Sequence, residues 1–158
     1  MAECPSYSSP PPWKEAERLA ALRKLAILDT DPEAEFDQLV ALAAQVFCTP
    51  IAFISFLDEH RQWFKARHGL EITEMPREKS LCNLALLEPG VLVVPDIGAT
   101  PLIEHRPVVG GAGELSFYAG VALRTKSGLP LGTLCVLDHK ARPGGLSDHQ
   151  KEALTALA

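Results

Sequence analysis

The sequence predicts an α+β domain, and two observations support this prediction. First, residues 117–124 and 131–138 are apolar runs of strand type, and the connector between them contains Gly128 and Pro130, which are typical of a hairpin loop. Second, two helical patterns precede the first strand-like run, and a further helical pattern begins near the end of the chain. Both faces of the hairpin strands are apolar or small, so we expect a sheet covered on both sides.

The first two helices are predicted from the spacing of apolar residues. Leu19, Leu22 and Leu25 recur at helical intervals, in a helix expected to end near Leu28. A second helix is predicted to begin with Asp31 as its N-cap. The residues expected to be buried by this second helix are Phe36, Leu39, Val40, Ala43, Val46 and Phe47.

The middle of the chain is predicted to alternate short elements with loops. Residues 51–57 are rich in Ile and Phe and indicate a buried strand, and residues 61–67 indicate a second, more exposed strand. A short helix capped by Ser80, a third strand at residues 91–94 and a long connection at residues 97–114 follow.

The two ends of the chain set the expected domain boundaries. Residues 1–12 are rich in Ser and Pro and are expected to form a flexible leader, so the domain is placed at residues 13–158. Ser147 is the expected N-cap of a last helix, whose apolar face is still incomplete at Ala158. We therefore expect the chain to be the N-terminal fragment of a longer protein.

The composition narrows the range of partners. The 158 residues are 47% hydrophobic and 22% charged, with a formal net charge of -5. The acidic balance argues against a nucleic-acid or anionic-membrane partner. The sequence contains neither a bilayer-length apolar run nor a secretory signal pattern, so we expect a cytoplasmic protein.

The four cysteines are far apart in the sequence. Cys4, Cys48, Cys82 and Cys135 form no C-x-x-C pair and have no His at metal-ligand spacing, so reduced thiols and no metal site are expected. Cys48 and Cys135 lie in apolar runs and are expected to be small core residues. Cys82 is either an inert thiol or a redox-sensing one, although the sequence shows no neighbouring partner for it.

Five motifs identify a family resemblance. They are, in order, EAERLAALRKLAILDTDPEAEFDQLVALAA (15–44), DEHRQWFKARHGL (58–70), PREKSLC (76–82), LVVPD (92–96) and FYAGVALRTKSGLPLGTLCVLD (117–138). The sequence over residues 14–158 resembles a GAF domain of the type found N-terminally in bacterial signalling proteins such as histidine kinases and diguanylate cyclases. The resemblance implies a GAF/PAS-like antiparallel sheet of five or six strands. Terminal helices would lie on one face, and a loop-covered pocket on the other.

The resemblance also implies a small-molecule pocket, whose ligand or cofactor the sequence does not identify. The pocket candidates are Trp63, Arg67, Cys82, Asp96, Tyr118 and Cys135. Two segments depart from the usual family pattern. Leu84 stands where a histidine is usual, and TPLI at residues 100–103 replaces DPRF. We therefore expect a pocket that is more apolar than usual.

The predicted function is a non-catalytic sensory or regulatory domain. The sequence lacks H-E-x-x-H, G-x-S-x-G and P-loop motifs. The domain is expected to bind a small molecule and to relay its state to an output domain, as a homodimer joined through the first and last helices. The alternatives are a structural dimerisation module with a vestigial pocket, an enzyme similar to the free methionine sulfoxide reductases, and a bilin photosensor that attaches its pigment at Cys82.

Overall fold

A six-stranded antiparallel sheet forms the centre of the structure, a computed structural model in which residues 11–99 and 115–158 are described. The helices are α1 (Glu15–Leu25), α2 (Ala34–Phe47), α3 (Cys82–Ala85) and α4 (Asp148–Leu157), and the strands are β1 (Ile51–Leu57), β2 (Arg61–His68), β3 (Glu74–Pro76), β4 (Val91–Val94), β5 (Phe117–Arg124) and β6 (Pro130–Asp138). The strand order is β3-β2-β1-β6-β5-β4, with every neighbouring pair antiparallel. The predicted α+β class is confirmed.

Two hydrophobic cores lie on opposite faces of this sheet. In β1 the side chains alternate, so that Ile54 joins a core with residues of the long helices, among them Leu22 and Leu154. Phe53 joins the other core, which includes α3 residues. The predicted sheet covered on both sides, with the terminal helices on one face, is confirmed. The second core contains the candidate site.

The connection between α1 and α2 is longer than predicted. Helix α1 ends at Leu25 because Ala26 adopts a left-handed conformation with φ of 51°. Helix α2 begins only at Ala34, after an extended Glu33, so the expected N-cap at Asp31 was wrong. The main-chain carbonyl of Asp31 instead accepts a hydrogen bond from Lys65 on β2, at 2.6 Å. Asp31 is thus held by a tertiary contact and does not cap the helix.

The second strand is more buried than its sequence indicated. The register between β1 and β2 shifts between Ile54 and Ser55, which leaves Lys65 without a partner residue in β1. The Lys65 side chain is fully buried, and its Nζ lies 2.6 Å from a carboxylate oxygen of Glu33. Strand β3 pairs with β2 and covers its other edge. Strand β2 is therefore largely buried and paired along both edges, and is not the more exposed strand that we expected.

At the end of α2 the structure differs from two further expectations. Helix α2 turns Val40, Ala43 and Phe47 towards the sheet, while Val46 is exposed. Cys48, expected in the core, is also exposed, because it adopts a left-handed conformation just after the helix ends. An apolar run that crosses a helix terminus therefore does not stay on one face.

The hairpin and the last helix follow their local sequence signals. Gly128 has a φ of 92°, and the backbone N–H of Thr125 donates to Leu129 across the β5–β6 connection, at 2.9 Å. Ser147 and Gln150 form a reciprocal capping box at the start of α4. Both predictions are confirmed.

Parts of two expected segments lie outside the described residues. The leader at residues 1–12 is described only at its last two positions, and the connection at residues 97–114 only at Ile97–Ala99, a single 3₁₀ turn. The TPLI segment falls in the undescribed range. Within residues 11–99 and 115–158, no helix combines the length and the apolar character needed to cross a bilayer.

Candidate functional site, a buried thiol cluster

Two cysteine thiols meet on the sheet face opposite the long helices. Cys82 is the first residue of α3, which packs over β5 and β6, and Cys135 lies in the middle of β6. Their Sγ atoms are 3.4 Å apart, and both side chains are buried. The sequence indicated no partner for Cys82, and the structure corrects this by placing Cys135 beside it.

Tyr118 on β5 completes the centre of the cluster. Its hydroxyl group lies 3.3 Å from the Sγ of Cys82 and 3.1 Å from that of Cys135. Gly120 provides the room for this contact, because a Cβ at that position would collide with the Tyr118 hydroxyl and lie 2.9 Å from the Cys135 Sγ. Three of the predicted pocket residues, Cys82, Tyr118 and Cys135, are therefore in mutual contact.

A polar network holds Cys82 in position. Gln62 donates from Nε2 to the Sγ of Cys82 at 3.2 Å and to the Oγ of Ser55 at 2.8 Å. The Ser80 hydroxyl donates to Oε1 of Gln62 and accepts the backbone N–H of Cys82, at 3.0 Å. Ser55 in turn lies 3.0 Å from the hydroxyl of Thr133 on β6. Because these buried polar groups satisfy one another, the network favours a single arrangement of the thiols.

The two thiols differ in acidity. Burial by itself would raise the pKa of Cys82, but hydrogen bonds from its neighbours, chiefly Cys135, outweigh it and lower that pKa to about 6. Burial raises the pKa of Cys135 well above its usual value, and the adjacent Cys82 sulfur raises it further. Cys82 is therefore the more acidic thiol of the pair.

A small cavity of about 20 Å³ adjoins the cluster. It is lined by Phe53, Gln62, Phe64, Met75, Ser80, Leu81, Cys82, Tyr118 and Leu137. A cavity of this volume holds about one water molecule. This cavity therefore admits a molecule of very few heavy atoms, and not one the size of a nucleotide.

Arg77 connects the segment above the cluster to α1. Its Nη1 lies 2.5 Å from a carboxylate oxygen of Glu15, and its Nε donates to the Oδ1 of Asn83 in α3, at 3.0 Å. Glu15 also binds the buried guanidinium group of Arg18, at 2.8 Å. Partial burial would raise the pKa of Glu15, but hydrogen bonds from Arg18 and Arg77 outweigh it and lower that pKa to about 2. Helix α1 is thus joined to α3 through Arg77, by an ion pair to Glu15 and a hydrogen bond to Asn83.

The other three predicted pocket residues lie away from the cluster. Trp63 was expected at the pocket rim, but strand alternation turns it into the core beneath the long helices, whereas its neighbours Gln62 and Phe64 line the cavity. Arg67 is exposed at the end of β2. Asp96 follows β4 and accepts the backbone N–H of Gly98, at 3.0 Å, so it caps its own turn.

Sequence reasoning missed the polar members of the network. They are Ser55, Gln62, Ser80 and Thr133. Ser55 and Thr133 are hydroxyl residues within otherwise apolar strands, and a buried hydroxyl requires a partner. That signal was available in the sequence. In the described part of the chain, no three His, Cys, Asp or Glu side chains are placed to hold a metal ion.

The architecture and the site together define a class of α+β domain. An antiparallel sheet carries long helices on one face, and a short helix closes a small buried site on the other. The GAF domain model matches residues 31–158, and the chain belongs to the GAF domain family. The resemblance seen in the sequence motifs is thereby confirmed.

A signalling relative and two solved structures are similar to this chain. The chain is 42% identical over 150 residues to a cyclic di-GMP phosphodiesterase of Pseudomonas aeruginosa. This match covers 94% of the chain and 25% of that protein, so the chain spans about a quarter of the relative's length.

Both structures share the fold at low identity. The GAF domain of a phosphoenolpyruvate-protein phosphotransferase from Coxiella burnetii has a TM-score of 0.65 at 14% identity, covering 90% of this chain and 87% of its own. A type II free methionine-R-sulfoxide reductase from Thermoplasma acidophilum has a TM-score of 0.63 at 15% identity, covering 86% and 89%. Identities this low establish the fold alone.

Proposed function

We propose that this GAF domain is a non-catalytic sensory or regulatory module that binds a small molecule and relays the state of its site to an output domain. The observation that carries this proposal is the polar connection from Glu15 on α1, through Arg77, to Asn83 on α3. Helix α3 also contributes Cys82 to the buried cluster. A rearrangement at the cluster that moves α3 therefore changes the contacts of α1, as a population change between two arrangements.

The ligand in this proposal is small. The cavity beside Cys82 and Tyr118 has a volume of about 20 Å³. This volume favours a ligand of a few heavy atoms. A cytoplasmic location agrees with this proposal, because unpaired thiols in contact with each other persist in a reducing compartment.

The output is proposed to be cyclic di-GMP hydrolysis. This step comes from the relative in Pseudomonas aeruginosa, which is named for that activity and whose length the chain covers only in part. We place the domain upstream of such a phosphodiesterase and propose that it sets the rate of hydrolysis. The domain itself takes no part in the chemistry.

A hybrid protein tests the relay. This chain replaces the matching 150 residues of the Pseudomonas phosphodiesterase, and cyclic di-GMP hydrolysis is measured. Glu15→Gln and Arg77→Ala break the connection to α3 and are expected to change the hydrolysis rate at least several-fold. Glu17→Gln, on an exposed residue of the same helix, is the matched control and is expected to leave the rate unchanged. Equal rates in all four proteins would refute the relay.

The relay is proposed to operate in a homodimer. The expected interface uses α1 and α4, and exposed apolar side chains on the helical layer support the presence of a second copy there. Leu25 on α1 is 55% exposed, and Leu42 and Val46 on α2 are 45% and 49% exposed. Leu42 and Val46 are four residues apart and so lie on one side of the helix. The proposed interface therefore extends from α1 and α4 onto α2.

A structural dimerisation module is the second candidate function. The small volume of the cavity favours it, because Tyr118 and Leu81 occupy space on the side of the sheet where a ligand would bind. Native and denaturing mass spectra of the purified chain separate the two functions. Mass lost on denaturation supports a ligand sensor, whereas a dimer with an apo mass and a hybrid insensitive to Glu15→Gln supports the structural module.

A methionine sulfoxide reductase is disfavoured by the same volume. Free methionine sulfoxide has about ten heavy atoms, and a cavity that holds about one water does not accommodate it. The contact between the Cys82 and Cys135 thiols nevertheless calls for a direct test of methionine sulfoxide reduction. Consumption of methionine sulfoxide in the presence of a thiol reductant would contradict the non-catalytic proposal.

A further inference from the structure

We propose that Cys82 and Cys135 are oxidised to a disulfide by hydrogen peroxide, and that this pair is the sensing chemistry of the domain. The inference rests on the sensory function proposed above and specifies its ligand as a hydroperoxide. Three features support it, namely the placement of the two sulfurs, the size of the adjoining cavity and the connection from α3 to α1.

The two sulfurs are close enough to bond after a small movement. Their separation is 3.4 Å, and a disulfide bond is about 2.0 Å long, so they must approach by about 1.4 Å. Cys135 lies in a central strand paired on both sides, whereas Cys82 begins a helix of four residues. The movement therefore falls mainly on α3. Cys135 is expected to stay in place, because β6 is hydrogen-bonded to β1 on one side and to β5 on the other.

The chemistry balances with one hydroperoxide molecule. The Cys82 thiolate attacks one peroxide oxygen, the O–O bond breaks, and the departing hydroxide takes up a proton and becomes water. Cys82 is then a sulfenic acid, two electrons more oxidised. The Cys135 sulfur, losing its proton, attacks the Cys82 sulfur, so that the S–S bond forms and the S–O bond breaks. The second hydroxide leaves as water, and peroxide has accepted both electrons.

The polar groups around Cys82 suit this reaction. Gln62 and Tyr118 donate hydrogen bonds to the attacking sulfur and so stabilise its thiolate form. Tyr118 is also one of the residues that line the cavity in which we place the peroxide. Tyr118 is thus placed between both sulfurs and the oxidant.

The cavity selects for a small oxidant. Its volume of about 20 Å³ excludes bulky disulfides such as oxidised glutathione, and hydrogen peroxide has only two heavy atoms. Met75, which lines the cavity, belongs to β3, a strand of three residues at the edge of the sheet. Short edge elements open at low free-energy cost, which provides an entry route.

The oxidised state has a direct connection to α1. Drawing Cys82 towards Cys135 shifts α3 and with it Asn83, which accepts the hydrogen bond from Arg77. Arg77 is the partner of Glu15 on α1. Disulfide formation therefore changes the contacts that we propose for signal relay.

The test uses the chain with Cys4 and Cys48 replaced by Ser, so that only the buried pair remains. The reduced protein is treated with an equimolar amount of hydrogen peroxide, and its mass and free thiols are measured after denaturation. We expect the mass to fall by two hydrogens, both thiols to disappear, peptide mapping to link residues 82 and 135, and dithiothreitol to reverse the change. Cys135→Ser is expected to stop at the sulfenic acid of Cys82.

Two readouts separate a redox pair from two merely buried thiols. The oxidation rate is expected to rise as the pH increases through about 6, following ionisation of Cys82, and to be slower in Tyr118→Phe. Unchanged free thiols at equimolar peroxide, or gain of oxygen at Cys82 without a link to Cys135, would overturn the proposal. Oxidation by glutathione disulfide as fast as by peroxide would overturn the selection for a small oxidant.

Failure of this inference is distinguishable from failure of the relay. If the disulfide forms but the hydrolysis rate of the hybrid protein does not change, the redox site stands and the proposed relay fails. If no disulfide forms while Glu15→Gln still alters hydrolysis, the relay stands and the redox inference fails.

Discussion

The carboxylate of Glu15 and the guanidinium group of Arg77 lie 2.5 Å apart, and this ion pair joins the first helix of the domain to the segment above the buried thiols. Sixty-two positions separate the two residues in the sequence. The buried Arg18 also contacts the Glu15 carboxylate, and Asn83 accepts a hydrogen bond from Arg77. The pair therefore connects the helical layer to the segment that precedes the thiol-bearing helix α3.

The ion pair predicts a pH-dependent contribution to stability. The pKa of Glu15 falls from its usual 4.5 to about 2 on folding, so its stabilising effect is fully present above the unfolded value and is lost as the pH falls towards 2. We expect Glu15→Gln to lower the urea midpoint near pH 6 and to differ little from the parent near pH 2. Glu17→Gln is expected to match the parent at both pH values. A Glu15→Gln deficit that is equal at both would contradict this assignment.

Gly120 is predicted to be essential for the position of Tyr118. A Cβ in Gly120→Ala would meet the Tyr118 hydroxyl and the Cys135 sulfur, so either the ring or the strand must move. Overpacking of this kind costs roughly 1–3 kcal/mol in the free energy of unfolding. Gly90→Ala is the matched control, because nothing lies within 4 Å of its added Cβ. Urea denaturation of both variants measures the difference, and equal midpoints would show that the ring is not held by this contact.

Lys65 is predicted to hold the connection between α1 and α2. Its buried Nζ contacts the Glu33 carboxylate and donates to the Thr30 hydroxyl and the Asp31 carbonyl, at 2.6, 2.7 and 2.6 Å. Lys65→Met keeps the apolar stem and removes these contacts, with an expected loss of about 2–3 kcal/mol in the free energy of unfolding.

The control for this prediction is Lys126→Met, on an exposed lysine of the hairpin loop, which is expected to change the free energy of unfolding by less than about 0.5 kcal/mol. Thermal or urea denaturation of the two variants and the parent measures these changes in the free energy of unfolding. A Lys65→Met protein as stable as the parent would mean that the contacts to residues 30–33 carry no net stabilisation.

The elements predicted correctly from the sequence are those set by local signals. Gly128 determines the hairpin loop through its own backbone conformation, and Ser147 caps α4 through a residue three positions away. The apolar runs that predict β1, β5 and β6 are equally local. Such signals lie within a few residues of the structure they specify, so a single sequence is enough to find them.

The candidate site and the features that were predicted incorrectly depend on contacts between distant segments. Cys82 and Cys135 are 53 positions apart, and no motif in either segment indicates that α3 crosses β6 at Cys135. The burial of Lys65 follows from a bulge that the strand pattern does not reveal. Trp63 and Gln62 are adjacent, and which of them faces the thiols depends on the register with β1. These features follow from pairing and packing, which composition and periodicity leave undetermined.

The last prediction concerns the interface of the proposed dimer. Leu42 and Val46 expose apolar side chains on one side of α2, and burying a side chain of this size against a second copy contributes about 1.5–3 kcal/mol. Placing lysines at both positions removes that contribution and sets like charges of the two copies against each other. We expect Leu42→Lys/Val46→Lys to raise the dimer dissociation constant at least about tenfold, as measured by light scattering across a dilution series. Gln45→Lys, on an exposed residue of the same helix, adds charge without removing apolar area and is expected to have a smaller effect. A double variant that dimerises as tightly as the parent would exclude α2 from the interface and leave α1 and α4 as its proposed components.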